Sequence, residues 1–208
     1  MPDFVHEDAC GATPVAGVDE VGRGPWAGPV MAAAVILDRS RVPADLAAAL
    51  NDSKKLTPLR RTEICARLVA CEGVVWAVGE ASVAEIDAIN ILQASFLAMR
   101  RALDSLGVLP AHVLVDGNKC PPGLSCRATA IVGGDALSAS IAAASIIAKV
   151  RRDRIMLGLD SLFPGYGWGS NAGYGTPEHQ QGLLTHGVTE HHRRSFAPIR
   201  NLLTPNMS

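Results

Sequence analysis

Aromatic residues make up only 4% of this 208-residue chain and charged residues 19%, and the net charge is −1. With no net charge to speak of, binding to a polyanion by bulk attraction is excluded. Any nucleic-acid contact must come from basic residues gathered on one face. The longest apolar runs, 29–37 and 141–148, are far shorter than the roughly 20 residues a membrane-spanning helix needs, so no membrane association is expected. The opening stretch, Met1 to Asp8, is acidic and lacks the basic-then-apolar form of a signal peptide. The five cysteines form no C-x-x-C pair, which speaks against a zinc site and for a reduced, cytoplasmic compartment. Neither G-x-x-x-x-G-K-[ST] nor G-x-G-x-x-G occurs, so a phosphate-loop phosphotransferase is disfavoured. His179, His186, His191 and His192 fit no common zinc spacing and read as polar helix and loop residues.

What is present is concentrated in one segment, Val15-Ala16-Gly17-Val18-Asp19-Glu20-Val21-Gly22-Arg23-Gly24-Pro25. A strand-like apolar run delivers two adjacent carboxylates into a glycine-flanked arginine turn. Carboxylates are hard oxygen ligands suited to Mg²⁺ or Mn²⁺. The glycines allow close backbone approach and offer N–H donors, and the arginine offers charge to a phosphate. Together these suggest chemistry on a phosphodiester. An isolated Asp-Glu before Gly would read as a charged turn.

The remaining pattern is mixed α/β within a length that suits one domain. Strands are predicted at 14–21, 30–37, 73–79, 112–116 and 127–132, the first two forming an antiparallel hairpin. Thr57-Pro58 opens a helix over 58–70. Ser82 with Glu85 forms a capping box before a short helix, and a longer helix over 90–106 ends at Gly107. A small-residue helix over 137–159 follows, then a Gly- and aromatic-dense stretch at 163–175 expected to be irregular. Short helices at 177–185 and 195–203 close the chain. That order implies a mixed sheet with helices packed on it.

Four carboxylates share one position type: Asp19 and Glu20 end the first strand, Asp116 ends the fourth, and Asp135 precedes the long helix. Sites in open α/β sheets gather at strand ends, and clustered acids holding two divalent ions can hydrolyse a phosphodiester. Neighbours on a strand face opposite ways, so Asp19 and Glu20 share a site only if the strand ends there. Taken singly, Asp135 reads as a helix cap and Asp116 as a turn former, while Asp153 is a rival fourth ligand. Asp87 reads as a helix-surface acid. Ser53-Lys54-Lys55, Lys149 and Arg193-Arg194-Ser195 are candidate phosphate contacts. Tyr174, held between glycines, could stack on a sugar or base.

Several motifs in order resemble ribonuclease HII, the bacterial type 2 ribonuclease H: the block from Gly17 to Pro25, Asn51-Asp52-Ser53-Lys54-Lys55-Leu56, Glu85-Ile86-Asp87 with Asn90-Ile91-Leu92, and Val115-Asp116-Gly117-Asn118. Gly134-Asp135, the run from Ala143 to Asp153, Gly173-Tyr174-Gly175-Thr176 and the run from His186 to Phe196 complete the set. The resemblance implies an RNase H-like α/β fold, with a mixed five-stranded sheet, flanking helices and a small C-terminal helical segment. On this reading 1–13 is a tail, 14–175 the catalytic domain and 176–208 the helical segment packed on it.

It also implies endonucleolytic hydrolysis of RNA in RNA/DNA hybrids and cleavage 5′ of single ribonucleotides in duplex DNA, by a monomer using two Mn²⁺ or Mg²⁺ ions. By residue matching, Asp19, Glu20, Asp116 and Asp135 bind the metals and Asp153 does not. Gly22, Arg23 and Gly24 read the ribose 2′-OH, Tyr174 stacks at the RNA-to-DNA junction, and Ser53, Lys54 and Lys149 contact substrate. One departure is Ser170-Asn171-Ala172, where many relatives carry a basic residue; it bears on affinity more than on chemistry. An N-terminal substrate-binding domain, usual in the sister type ribonuclease HIII, is not expected.

Overall fold

Valine and isoleucine crowd the strand candidates, and β-branched side chains favour the pleated chain. In the computed structural model, which describes residues 1–50 and 56–204, the first two become β1 (Val15–Val21) and β2 (Val30–Leu37). They pair antiparallel, with Asp19 opposite Ala33. β3 (Val74–Ala81), β4 (His112–Asp116) and β5 (Arg127–Ile131) complete one sheet in the order β3-β2-β1-β4-β5. β1 runs parallel to β4, and β4 to β5, so the sheet is mixed.

The helices are α1 (Val5–Ala9), α2 (Ala44–Ala48), α3 (Pro58–Ala70), α4 (Val83–Asp104), α5 (Ala139–Leu162), α6 (Trp168–Asn171), α7 (Pro177–His186) and α8 (Ala197–Leu203). Their ends follow the local chemistry. Thr57 accepts the Arg60 N–H at 3.3 Å to cap α3. Ser82 and Glu85 exchange N–H bonds at 2.8 and 3.2 Å, the reciprocal box expected there. α4 is interrupted at Asn90, whose backbone is non-helical (φ 67°, ψ 164°). The Asn90 Oδ1 accepts the N–H groups of Leu92 and Gln93 and so starts the second stretch. The predicted short and long helices are therefore the two parts of α4. No helix among the described residues is long and apolar enough to cross a membrane.

The chain gathers into two compact units. The first comprises Met1–Val21, Met31–Glu80 and Phe96–Val150. Its core packs α5 residues Ala142, Ala143, Ile146 and Ile147 with Val35, Leu46, Ile64 and Leu68. Gly17 fixes how closely α5 approaches β1: a Cβ there would lie 2.2 Å from the Ser140 carbonyl carbon. Segment 1–13 carries α1, which no periodicity announced. The Glu7 carboxylate on α1 accepts from Ser138 Oγ, the Ser140 N–H and Ser140 Oγ at 2.6–2.9 Å, beside the α5 N-terminus.

The second unit comprises Gly22–Val30, Ala81–Ser95 and Arg151–Ser208. Ala27, Met156, Tyr166, Trp168, Leu183 and Ile199 form its core, with Tyr166 and Trp168 stacked 4.8 Å apart. The 163–175 stretch is not wholly irregular, because α6 forms inside it. Buried Trp168 anchors that turn, and Asn171 Nδ2 donates to the Tyr166 carbonyl at 2.8 Å.

Candidate active site

The sheet order explains how separated acids meet. Val18 of β1 pairs in register with Val115 of β4, so Asp19 and Asp116 each lie one residue past that pair, on adjacent parallel strands. Asp116 is itself in register with Ile131 of β5, after which Gly133-Gly134-Asp135 begins. The Gly134 N–H donates to Asp116 Oδ1 at 2.7 Å, which ties the β4 end to that turn. Asp116 is thus more than a turn former. Asp135 does not cap α5: it sits in a 3₁₀ turn (Gly134–Ala136), and Ser138 Oγ takes the helix N–H of Ile141.

β1 does not end at its acids. Pairing with β2 continues through Val21 opposite Met31, so strand alternation directs the Cβ atoms of Asp19 and Glu20 to opposite faces. β1 ends at Val21, as its predicted range has it, so Asp19 and Glu20 lie among the last paired residues of the ladder and not beyond it.

Asp19 is only 6% exposed. Burial raises its pKa well above the usual carboxylate range, with Glu20, then Asp116 and Asp135, adding repulsion; a hydrogen bond from Ser145 opposes them. That Asp19 feels all three acids is the electrostatic signature of one cluster. Ser145, buried on α5, is a site residue that sequence reasoning quoted within a motif and did not assign. Half-buried Lys149 lies one helical turn further along the same face. Among the described residues, no group of three or more His, Cys, Asp or Glu is gathered into a preformed metal-ligand cluster. The fit to a divalent cation rests instead on the donor chemistry. Asp19 and Asp116 lie on neighbouring parallel strands and Asp135 follows β5, and the repulsion that Asp19 takes from carboxylates around it is what a dication relieves.

A second group lies in the second unit. Gly22 adopts φ +93°, and a Cβ there would lie 2.1 Å from Arg152 Nε, so only glycine fits. Arg23 and Gly24 are exposed. A Cβ on Gly24 would come within 3.2 Å of the Tyr174 ring, so the turn and the tyrosine sit against each other. Tyr174 is 51% exposed on its loop, where a ring is free to meet a ligand.

Two further readings are corrected. Arg193 is not a phosphate contact: it is fully buried and donates to the carbonyls of Gly22, Arg23, Gly28 and Pro29. Asp87 is not merely a surface acid, since it accepts the N–H groups of Arg194 and Ser195 and the Ser195 hydroxyl at 2.6–2.9 Å.

His179 lies on α7 and His192 in a loop, as the sequence reading has them, but neither faces solvent. Both are fully buried with Nε2 atoms 3.0 Å apart, and burial lowers both pKa values, that of His192 to about 4. One tautomer assignment satisfies every contact of the neutral pair. His179 Nδ1–H donates to the Tyr174 carbonyl, while its Nε2 accepts from Trp168 and His192. Spacing alone gave no sign of this pair. Ser53 and Lys54 lie outside the described residues.

A family model described as Ribonuclease HII matches residues 16–199. The Ribonuclease HII of Jannaschia sp. (strain CCS1) is 58% identical over 202 residues, covering 97% of this chain and 98% of its own length. That of Paramagnetospirillum magneticum is 58% identical over 199 residues, covering 96% and 97%. Among solved structures, the ribonuclease H2 from Pyrococcus horikoshii OT3 is similar with a TM-score of 0.76 and 29% identity, covering 90% of this chain and 96% of that one.

Proposed function

The chain belongs to the ribonuclease HII family, hydrolases of RNA in RNA/DNA hybrids, and on that premise we propose that it also cuts 5′ of single ribonucleotides embedded in duplex DNA, with two divalent cations. The observation that carries the reading is buried Asp19 on the strand beside Asp116, with the Gly134-Asp135 turn tied to Asp116 by the Gly134 N–H; with Glu20 these acids are the proposed ligand set. These four would hold Mg²⁺ or Mn²⁺. Two such ions, when bound, supply Lewis acidity for attack of water on the phosphodiester and for departure of the leaving oxygen.

The chain's own residues prepare this. Ser145 orients Asp19 by hydrogen bonding, and the Gly134 N–H fixes Asp116. Burial of Asp19 keeps water from screening the charge that draws the cations. The Gly22-Arg23-Gly24 turn, which begins one residue after Val21 follows Glu20 in the chain, reads the 2′-OH that distinguishes RNA from DNA. Exposed Tyr174 stacks on the neighbouring deoxyribose at the junction. Lys149, Ser53 and Lys54 are assigned to phosphate contacts. Hydrolysis leaves a 5′-phosphate on the ribonucleotide side and a 3′-hydroxyl. The five free cysteines accord with a reduced, cytoplasmic setting, and a monomer is inferred.

The test is metal-dependent nicking of a DNA duplex carrying one ribonucleotide, against an all-DNA duplex. One cut 5′ of the ribonucleotide supports the reading. Cleavage of long hybrids alone would remove the junction role of the turn and Tyr174 while leaving the acid cluster in place.

A further inference from the structure

A buried charged guanidinium that hydrogen-bonds no carboxylate calls for a reason, because burial of charge is costly unless every donor is satisfied. Arg193 is such a group: it is fully buried and accounts for its donors entirely with backbone carbonyls. Its Nε donates to the Gly28 carbonyl at 3.0 Å and its Nη1 to that of Arg23 at 3.0 Å. Its Nη2 serves the carbonyls of Gly22 at 2.6 Å, Gly28 at 2.9 Å and Pro29 at 3.3 Å. Arg152, also buried, closes the same loop through the carbonyls of Ala27, Pro29 and Ala172.

The consequence follows from peptide geometry. In a planar trans peptide the C=O and the next N–H point in opposite directions. The Gly22 and Arg23 carbonyls are held inward on Arg193, so the N–H groups of Arg23 and Gly24 face away from it. Among the described residues the Gly24 N–H has no hydrogen-bond partner, and Gly24 is exposed. A cation on the carbonyl also polarises the peptide and makes its N–H a stronger donor.

We propose that Arg193 is the positioning residue that aims the Gly24 N–H at the ribose 2′-OH and thereby sets ribonucleotide discrimination. This rests on the reading of Gly22-Arg23-Gly24 as the 2′-OH sensor. Arg193 touches no substrate; it acts through the two peptide planes it holds.

The experiment measures affinity by fluorescence anisotropy, in Ca²⁺, for a duplex with one ribonucleotide and for the matched all-DNA duplex. The unsubstituted chain is expected to prefer the ribonucleotide duplex. Arg193→Lys keeps the charge and loses the planar fork that spans both carbonyls. It should lose about tenfold of that preference, the worth of one hydrogen bond, while all-DNA affinity stays within about twofold. An Arg193→Lys protein that keeps the full preference would overturn the role of Arg193 and leave the turn's reading standing. A parent chain with no preference would overturn the reading of the turn, and the proposal with it.

A measurement on the unsubstituted chain needs no variant to fold. The Gly24 amide should exchange rapidly with solvent and shift in NMR spectra on adding the ribonucleotide duplex but not the all-DNA duplex. A Gly24 amide protected in the free protein would also overturn the proposal.

Discussion

Asp19 concentrates the electrostatic strain of the first unit in one side chain. It is buried, its pKa is raised first by desolvation and then by Glu20, Asp116 and Asp135, and a hydrogen bond from Ser145 works against that rise. Replacing it with Asn removes a charge that is unfavourable without metal while keeping an oxygen for Ser145. The metal-free Asp19→Asn protein should therefore melt at or above the parent's temperature. It should gain less on addition of Mn²⁺, and its cleavage of hybrids should fall to background. Calorimetry with and without Mn²⁺, paired with a gel assay, checks this; retained cleavage would sink the metal-site assignment. Tyr174 carries a different expectation, because its half-exposed ring rests on Gly24 rather than in a core. Tyr174→Ala should reduce cleavage at a single ribonucleotide by about tenfold or more, the range for loss of one stacked ring. Cleavage of long hybrids should fall much less. Equal losses on both substrates would contradict a junction role.

At the level of elements, α5 orders the acid cluster, since it carries Ser145 and packs on β1 at Gly17. Its N-terminus is held by Glu7 of α1, a carboxylate placed where helix amides leave donors unpaired and the dipole is positive. Glu7→Ala should cost about 1–2 kcal/mol in chemical denaturation, the usual range for loss of a helix-capping group. An unchanged midpoint would show that Ser138 alone suffices. Elements with a local signature were legible in the sequence: Thr57-Pro58 before α3, the Ser82–Glu85 box, and short apolar runs for the strands. α1 and α2 were not, because five residues each give no periodicity. Asp135 was legible as an acid near a helix start, but only strand order brought it to Asp19. The roles of Arg193, Asp87 and the His179–His192 pair could not be read locally, since each depends on partners far along the chain.

For the molecule as a whole, buried His192 in the second unit and buried Asp19 in the first respond to pH in opposite senses. In the second, the pKa of His192 is lowered to about 4 from 6.5, chiefly by burial and then by His179, and that of His179 is lowered also. Above 6.5 both folded and unfolded chains leave His192 neutral, and it contributes no pH dependence. Between 6.5 and about 4 the unfolded chain binds a proton that the folded chain refuses, so stability falls as pH falls through that window. Asp19 in the first unit has the reverse sign. Its folded carboxyl holds a proton above 3.8, where the unfolded one has released it, so its contribution weakens as pH rises. Measured on the parent chain the two trends partly cancel. In an Asp19→Asn background the opposing Asp19 trend is gone, and the unfolding midpoint should fall steadily from pH 6.5 towards pH 4. Since His179 Nδ1–H holds the Tyr174 carbonyl, protonation that breaks the pair should also loosen the Tyr174 loop. Hydrogen exchange at the Thr176 amide, which bonds the same carbonyl, should then accelerate over that range. An Asp19→Asn protein with a flat midpoint between those pH values would show that the buried histidine pair does not carry the second unit's acid sensitivity.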